Sequence, residues 1–130
     1  MEIYEILDKV AAAASREDKM KVLVDNDCLA LRDIMKINFD NDLKIHVSKK
    51  IDWMPSDNIT NSLKGVTKYL VPLSKGDIEI ERADKSFKAM LEQINPMDAQ
   101  ILYDAVKGNL KVKGLTEKLV KGVWGDKFIT

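Results

Sequence analysis

The chain has 130 residues, one cysteine and a formal net charge of zero, with hydrophobic residues at 45% and charged residues at 32%. That balance is globular and the length suffices for one domain with its own core, which excludes a disordered chain and a disulfide-stapled scaffold. No apolar run approaches the ~20 residues that a membrane-spanning helix needs, and Glu2, Glu5 and Asp8 do not suit a signal peptide, so a cytoplasmic protein is expected.

Ile3, Ile6, Leu7, Val10 and Ala14 fall at helical spacing over residues 2–14. Ser15 is placed to cap a second helix running to about Asp25, with Met20, Leu23 and Val24 inward. Asn26 or Asp27 then caps a third, with Cys28, Leu31, Ile34 and Met35 on its inner face. Asp40, Asn41 and Asp42 are turn formers, and the weak alternation in "LKIHV" fits either a short strand or one turn of helix. "DWMPSDN", residues 52–58, reads as a loop, because Pro55 disfavours helix at its predecessor.

Asn61 or Ser62 opens a helix that carries Leu63, Val66, Tyr69, Leu70 and Leu73, with Pro72 near its end and Gly76 closing it. A polar connector over Asp77–Arg82 leads to a helix over 83–94, with Phe87, Met90, Leu91 and Ile94 inward. Asn95-Pro96 is an N-cap followed by proline at the first helical position, and that helix carries Met97, Ile101, Leu102 and Ala105 as far as Gly108. A last helix covers about residues 116–124, with Leu115, Leu119, Val123 and Trp124 inward. The methionines read as core filler; Trp53, in its loop, fits a buried or an exposed position equally. The expected fold is therefore all-α: one compact domain, residues 1–130, of about six to seven short helices.

The charge is unevenly placed. Residues 1–42 hold six Lys or Arg against ten Asp or Glu, and residues 43–106 hold nine of each. Residues 107–130 hold six lysines against Glu117 and Asp126, a local net charge of +4. One end of the molecule is anion-seeking, or else it is a solvated lysine face.

Catalytic constellations are sparse. The single His46 and single Cys28 lie 18 residues apart, which argues against a zinc site and against a Cys–His nucleophile. No phosphate-binding glycine loop of the P-loop or dinucleotide type occurs, and "NFDNDLKIH" lacks the glycine and the terminal glutamate of a calcium loop. No enzyme activity, cofactor, metal, membrane or small-molecule substrate is expected.

The basic end carries more. In "GNLKVKGLTEK", Leu110 and Val112 point inward while Lys111 and Lys113 point outward, just before a helix that opens at Leu115, Thr116 and Glu117. A helix start offers unpaired N–H groups and a partial positive charge, a natural seat for phosphate. Lys118 and Lys121 project from the first turns, and Gly114 lets a backbone approach closely. Glu117 opposes the phosphate reading.

Three segments carry a resemblance. They are "MEIYEILDKVAAAASREDKMKVLVDN", then "LKIHVSKKIDWMP" with a lysine pair ahead of Trp53 and Pro55, and "LYDAVKGNLKVKGLTEKLVKGVWGDKF". In the last, Asn109-Leu110, Gly114 and the run Lys121 to Gly125 hold the distinctive places. Together they resemble the N-terminal, all-helical DNA-binding domain of ATP-dependent DNA ligases, especially those of bacteriophages. The resemblance implies a domain that grips duplex DNA across the minor groove through phosphates, with no sequence reading. Carried over, the contacts are Lys111, Lys113, Gly114, Leu115, Thr116, Lys118 and Lys121, with Lys49 and Lys50 second. The Lys-x-Asp-Gly of an adenylation domain does not occur, so the resemblance implies binding without nick sealing.

The first expectation is thus a non-catalytic accessory protein of replication or repair, phage-encoded, whose partner is duplex DNA. The second is a protein-interaction module on the same fold, with a replication, host or viral protein as partner, met by the acidic N-terminal surface or the 38–58 loop. A small virion component is a third.

Overall fold

A computed structural model describes residues 2–40, 43–55 and 58–129. Over them the backbone forms eight α-helices and one 3-10 turn, with no strand. The turn expected at Asn41 and Asp42, and the Ser56-Asp57 part of the expected loop, lie outside the described residues.

α1 (Ile3–Ala12) buries Ile3, Ile6, Leu7 and Val10 on one stripe, and Glu2 and Glu5 close a reciprocal capping box at its start. α2 (Arg16–Asp25) begins where expected, the Ser15 hydroxyl accepting the Asp18 N–H. Its inner face is thinner than its composition suggests. Leu23 is buried and Met20 half-buried, but Val24 is 56% exposed. α3 (Leu29–Phe39) starts later than expected. Its N-cap is Cys28, which makes no side-chain cap bond and stands half-buried at the helix mouth rather than on the inner face.

The single helix expected after Ser62 is broken. α4 (Leu63–Val66) tightens into a 3-10 turn at Thr67–Tyr69 and resumes as α5 (Leu70–Ser74). Pro72 lacks the N–H that would bond back one turn, so a regular ladder cannot pass through this stretch. Leu63, Val66, Leu70 and Leu73 are buried as expected, while Tyr69 is exposed. Residues 43–50 form neither strand nor helical turn. They run as an irregular strap whose His46 N–H donates to the Leu73 carbonyl at 3.0 Å.

α6 (Ile80–Gln93) starts ahead of the expected residue 83; its first turn, Ile80, Glu81 and Arg82, is exposed, so no buried apolar position marks the start. Its Phe87, Met90 and Leu91 are buried, and so is Ile94 just beyond. α7 (Pro96–Val106) starts where the sequence places it, with Asn95 accepting the Met97 N–H at 2.8 Å. α8 (Glu117–Trp124) completes the fold.

α7 packs against α1, α3 and α6, while α2 bridges α1 and α8. One apolar cluster runs from Ile3 to Ile129. The methionines divide: Met35 and Met90 are core, but Met54 is 75% and Met97 54% exposed, so these two are not filler.

Candidate nucleic-acid interface

α7 ends at Val106 with Lys107 as its C-cap, and Gly108 takes a φ of +69°, a conformation that glycine adopts without strain. The chain then crosses to α3, where the Leu110 N–H donates to Asn38 Oδ1 at 3.0 Å. Pinned there, Leu110, Val112 and Leu115 sit half-buried on the core, and Lys111 and Lys113 are exposed between them. Thr116 caps α8, its hydroxyl accepting the Leu119 N–H at 3.2 Å. Glu117 and Lys118 hold the first two helical positions, whose N–H groups have no place in the helical ladder. Leu119 and Val120 are buried, which turns Lys118 outward; the burial of Val120 was not expected.

Two expected contacts are placed differently from their neighbours. Lys121 Nζ stands 3.2 Å from Glu117 Oε1, one turn away. The pair neutralises the carboxylate that opposed a phosphate and ties up Lys121 at the same time. Gly114, at φ +77°, is exposed, but the Lys19 stem lies on the side where a side chain would stand: a Cβ there would be 2.5 Å from Lys19 Cε. Lys111, Lys113 and Lys118 are exposed, and among the described residues none has an ion-pair partner.

α2 brings cations that the sequence reading did not include. A Cβ at Gly122 would meet an Arg16 guanidinium nitrogen at 3.1 Å and Met20 Cε at 3.1 Å. Lys118 lies one turn before Gly122, so Arg16 and Lys118 share a face of the α2–α8 pair. Arg16, Lys19 and Met20 form the side of α2 that meets α8, and helical periodicity turns Glu17 and Asp18 away from it. An arginine about 100 residues from a lysine cluster gives no sequence signal until the two helices are known to pack.

Lys49 and Lys50 are also exposed, on a separate anchor. The Ser48 N–H donates to Asp84 Oδ1 at 2.8 Å, and its hydroxyl bonds the other carboxylate oxygen. Lys107 Nζ donates to the Ser48 carbonyl at 2.7 Å and stands 5.5 Å from the Tyr103 ring centre. Burial pulls the Lys107 pKa down, with Asp84 acting against it. Lys107 is therefore a structural clamp on the strap. Among the described residues no hydrogen bond or ion pair joins Lys49 or Lys50 to the Lys111–Lys118 group; the Lys107–Ser48 bond ties their strap to the end of α7. Trp53 is half-buried against Tyr103, and Trp124 half-buried on Phe128.

Among the described residues no three His, Cys, Asp or Glu side chains converge as a metal site, and no helix is long and apolar enough to cross a membrane. His46 lies against Gly76 on the strap. No protein-family model matches this chain, and no curated protein sequence matches it.

Proposed function

We propose that this protein binds duplex DNA through its phosphates, without reading sequence and without catalysis, as an accessory to replication or repair. The observation that carries the reading is the trio Lys111, Lys113 and Lys118, exposed and unpaired among the described residues, on a segment whose alternate residues are anchored in the core. Such cations are held in place by their backbone while their ammonium groups keep their charge for a polyanion. Arg16 extends the group along α2, and the first-turn N–H groups of α8 add donors suited to one phosphate oxygen. The resemblance to the ligase DNA-binding domain supports the same ligand. Phosphates carry no sequence information, so the grip is general.

The test is fluorescence anisotropy with a labelled nicked duplex, for wild type beside the combined variant Lys111→Glu, Lys113→Glu and Lys118→Glu. All three positions are exposed, so the variant keeps the fold. Binding by wild type and none by the variant supports the reading; equal binding by both refutes it.

One observation favours a protein partner as the second reading. Leu29 is 74% and Val24 56% exposed beside Asp25 and the Asp27–Arg32 ion pair, an apolar spot with a charged rim, which suits an amphipathic segment of another protein. Wild type that ignores DNA at low salt but binds such a partner, with loss in Leu29→Glu, places the function there.

A further inference from the structure

The strap that carries Lys49 and Lys50 also builds a cleft that the phosphate grip does not use. It is an open hollow of about 380 Å³, lined by Lys50, Asp52, Trp53, Pro55, Gln100 and Tyr103. The Trp53 and Tyr103 rings lie 6.4 Å apart between centroids at 44° to each other, an open V rather than a closed stack. Both residues are half-buried, so each ring rests partly on protein and turns partly to the cleft. Lys50 lines the same cleft, Lys49 stands beside it, and neither has an ion-pair partner among the described residues.

The arrangement is held on both flanks. Ser48 is fixed by Asp84 and Lys107, Ile51 is buried, and the Met54 N–H donates to Glu92 Oε2 at 3.0 Å. The aromatic residues therefore do not depend on a ligand for their position. Here a flat apolar surface and space occur together, with Lys50 and the adjoining Lys49 outnumbering the one carboxylate of the lining, Asp52. A nucleotide presents the matching parts: a flat π-face for a ring, and a phosphate for a lysine at a short distance from it. Gln100 adds a polar edge. Its Nε2 donates to Asp104 Oδ1 at 2.9 Å, which leaves its carbonyl oxygen to accept from a base.

We propose that the Trp53–Tyr103 cleft seats one unstacked nucleobase, with the adjoining phosphates on Lys49 and Lys50, so that the protein takes single-stranded or gapped DNA at this site as well as duplex at α8. The inference rests on the proposed function only in taking DNA as the ligand; Trp53, Tyr103 and Gln100 are new to it, and Lys49 and Lys50 are taken from the expected duplex contacts. A base inside an intact duplex keeps its faces covered by its neighbours and cannot enter. A base at a gap or in a single strand is free to stack on Trp53 or Tyr103, and every base can, because each has a π-face.

The chain has two tryptophans, Trp53 and Trp124, so in Trp124→Phe the emission reports Trp53 alone. This variant is titrated with a short single-stranded oligothymidylate, with a duplex carrying a one-nucleotide gap, and with the intact duplex. The expected result is quenching of Trp53 by the first two and none by the third. Anisotropy then follows the single strand with Trp53→Leu, expected to lose about tenfold in affinity by loss of stacking. The exposed double variant Lys49→Gln with Lys50→Gln is expected to weaken single-strand binding several-fold without touching the aromatic packing. Single-strand or gap binding that leaves Trp53 emission unchanged overturns the proposal, as does no binding of either probe. Intact-duplex binding that is lost in the Lys111, Lys113 and Lys118 variant, with Trp53 silent throughout, overturns the cleft and leaves the phosphate grip standing. Trp53 quenching by single strand, with no duplex binding at all, supports the cleft and removes the grip.

Discussion

The stem of Lys19 fills the space over Gly114, and its ammonium donates to the carbonyls of Val10 and Ala13 at 2.8 Å each. One side chain thus closes the carbonyl end of α1, spans from α2 and covers the loop that presents Lys111 and Lys113. Glycine is needed at position 114 twice: its φ of +77° suits the turn into α8, and its lack of a Cβ leaves room for that stem.

Gly114→Ala meets both constraints together. The left-handed backbone costs about 1–2 kcal/mol for a residue with a Cβ, and the new methyl displaces Lys19 from its carbonyls. Urea unfolding is expected to show a loss of about 2–3 kcal/mol, with part of it from orphaned helix-end carbonyls. Lys19→Met keeps the stem and drops the ammonium, so it is expected to lose less than Gly114→Ala. Equal stability of Gly114→Ala and wild type contradicts the packing described.

Asp98 makes a comparable link at the other end of α1. It is 1% exposed, and its Oδ1 accepts the Tyr4 N–H at 2.9 Å. Burial raises its pKa from an ordinary 3.8 to about 6; the Tyr4 N–H acts against the rise, and the bond and charge of Glu2 and the charge of Glu5 add to it. The folded protein therefore holds this proton at pH values where the unfolded chain has released it. Its contribution to stability falls as pH rises from 3.8 through about 6 and stays low above that. Asp98→Asn removes the titration and keeps an acceptor for Tyr4. Urea midpoints from about pH 4 to pH 7 are expected to show the variant gaining on wild type as pH rises; a constant difference contradicts the assignment.

How far the sequence could be read depended on whether the deciding contact was local. Asn95-Pro96 fixes the start of α7 within three residues, and Ser15, Ser62 and Thr116 cap the next N–H groups within three, so these boundaries were legible. The alternation of Leu110 and Val112 with Lys111 and Lys113 was legible for the same reason. Nothing local marks Asp98 as buried, because its partner is the Tyr4 N–H, 94 residues away. Val24 and Met97 looked inward by spacing, but no neighbouring element covers them. Arg16 joins the candidate interface only because α2 packs on α8. The Glu117–Lys121 pair was within reach of sequence reasoning, since acid and base one turn apart commonly pair.

Trp124 is tied to the α2–α3 turn. Its indole N–H donates to Asp27 Oδ1 at 3.2 Å, and Arg32 Nε donates to the same oxygen at 2.8 Å. Arg32, and after it the Trp124 bond, hold the Asp27 carboxyl below its ordinary 3.8. A depressed folded pKa contributes stability above the unfolded value and loses it as pH falls through the folded one. Asp27→Asn is expected to lower stability slightly at neutral pH and to flatten the acid limb below 3.8, with Trp124 emission shifted to the red. An unchanged emission spectrum and an unchanged acid limb contradict the link.

The central claim is that lysines on and before α8 neutralise DNA phosphates. Affinity for a nicked duplex, measured across about 50–200 mM salt, tests it most directly, because log K falls by about 0.9 per phosphate neutralised for each unit of log salt. Three engaged lysines predict a slope near −3 for wild type, and a clearly shallower slope and weaker binding once Lys111, Lys113 and Lys118 are all glutamine. A wild-type affinity that does not change with salt, or a slope shared by wild type and variant, contradicts the account.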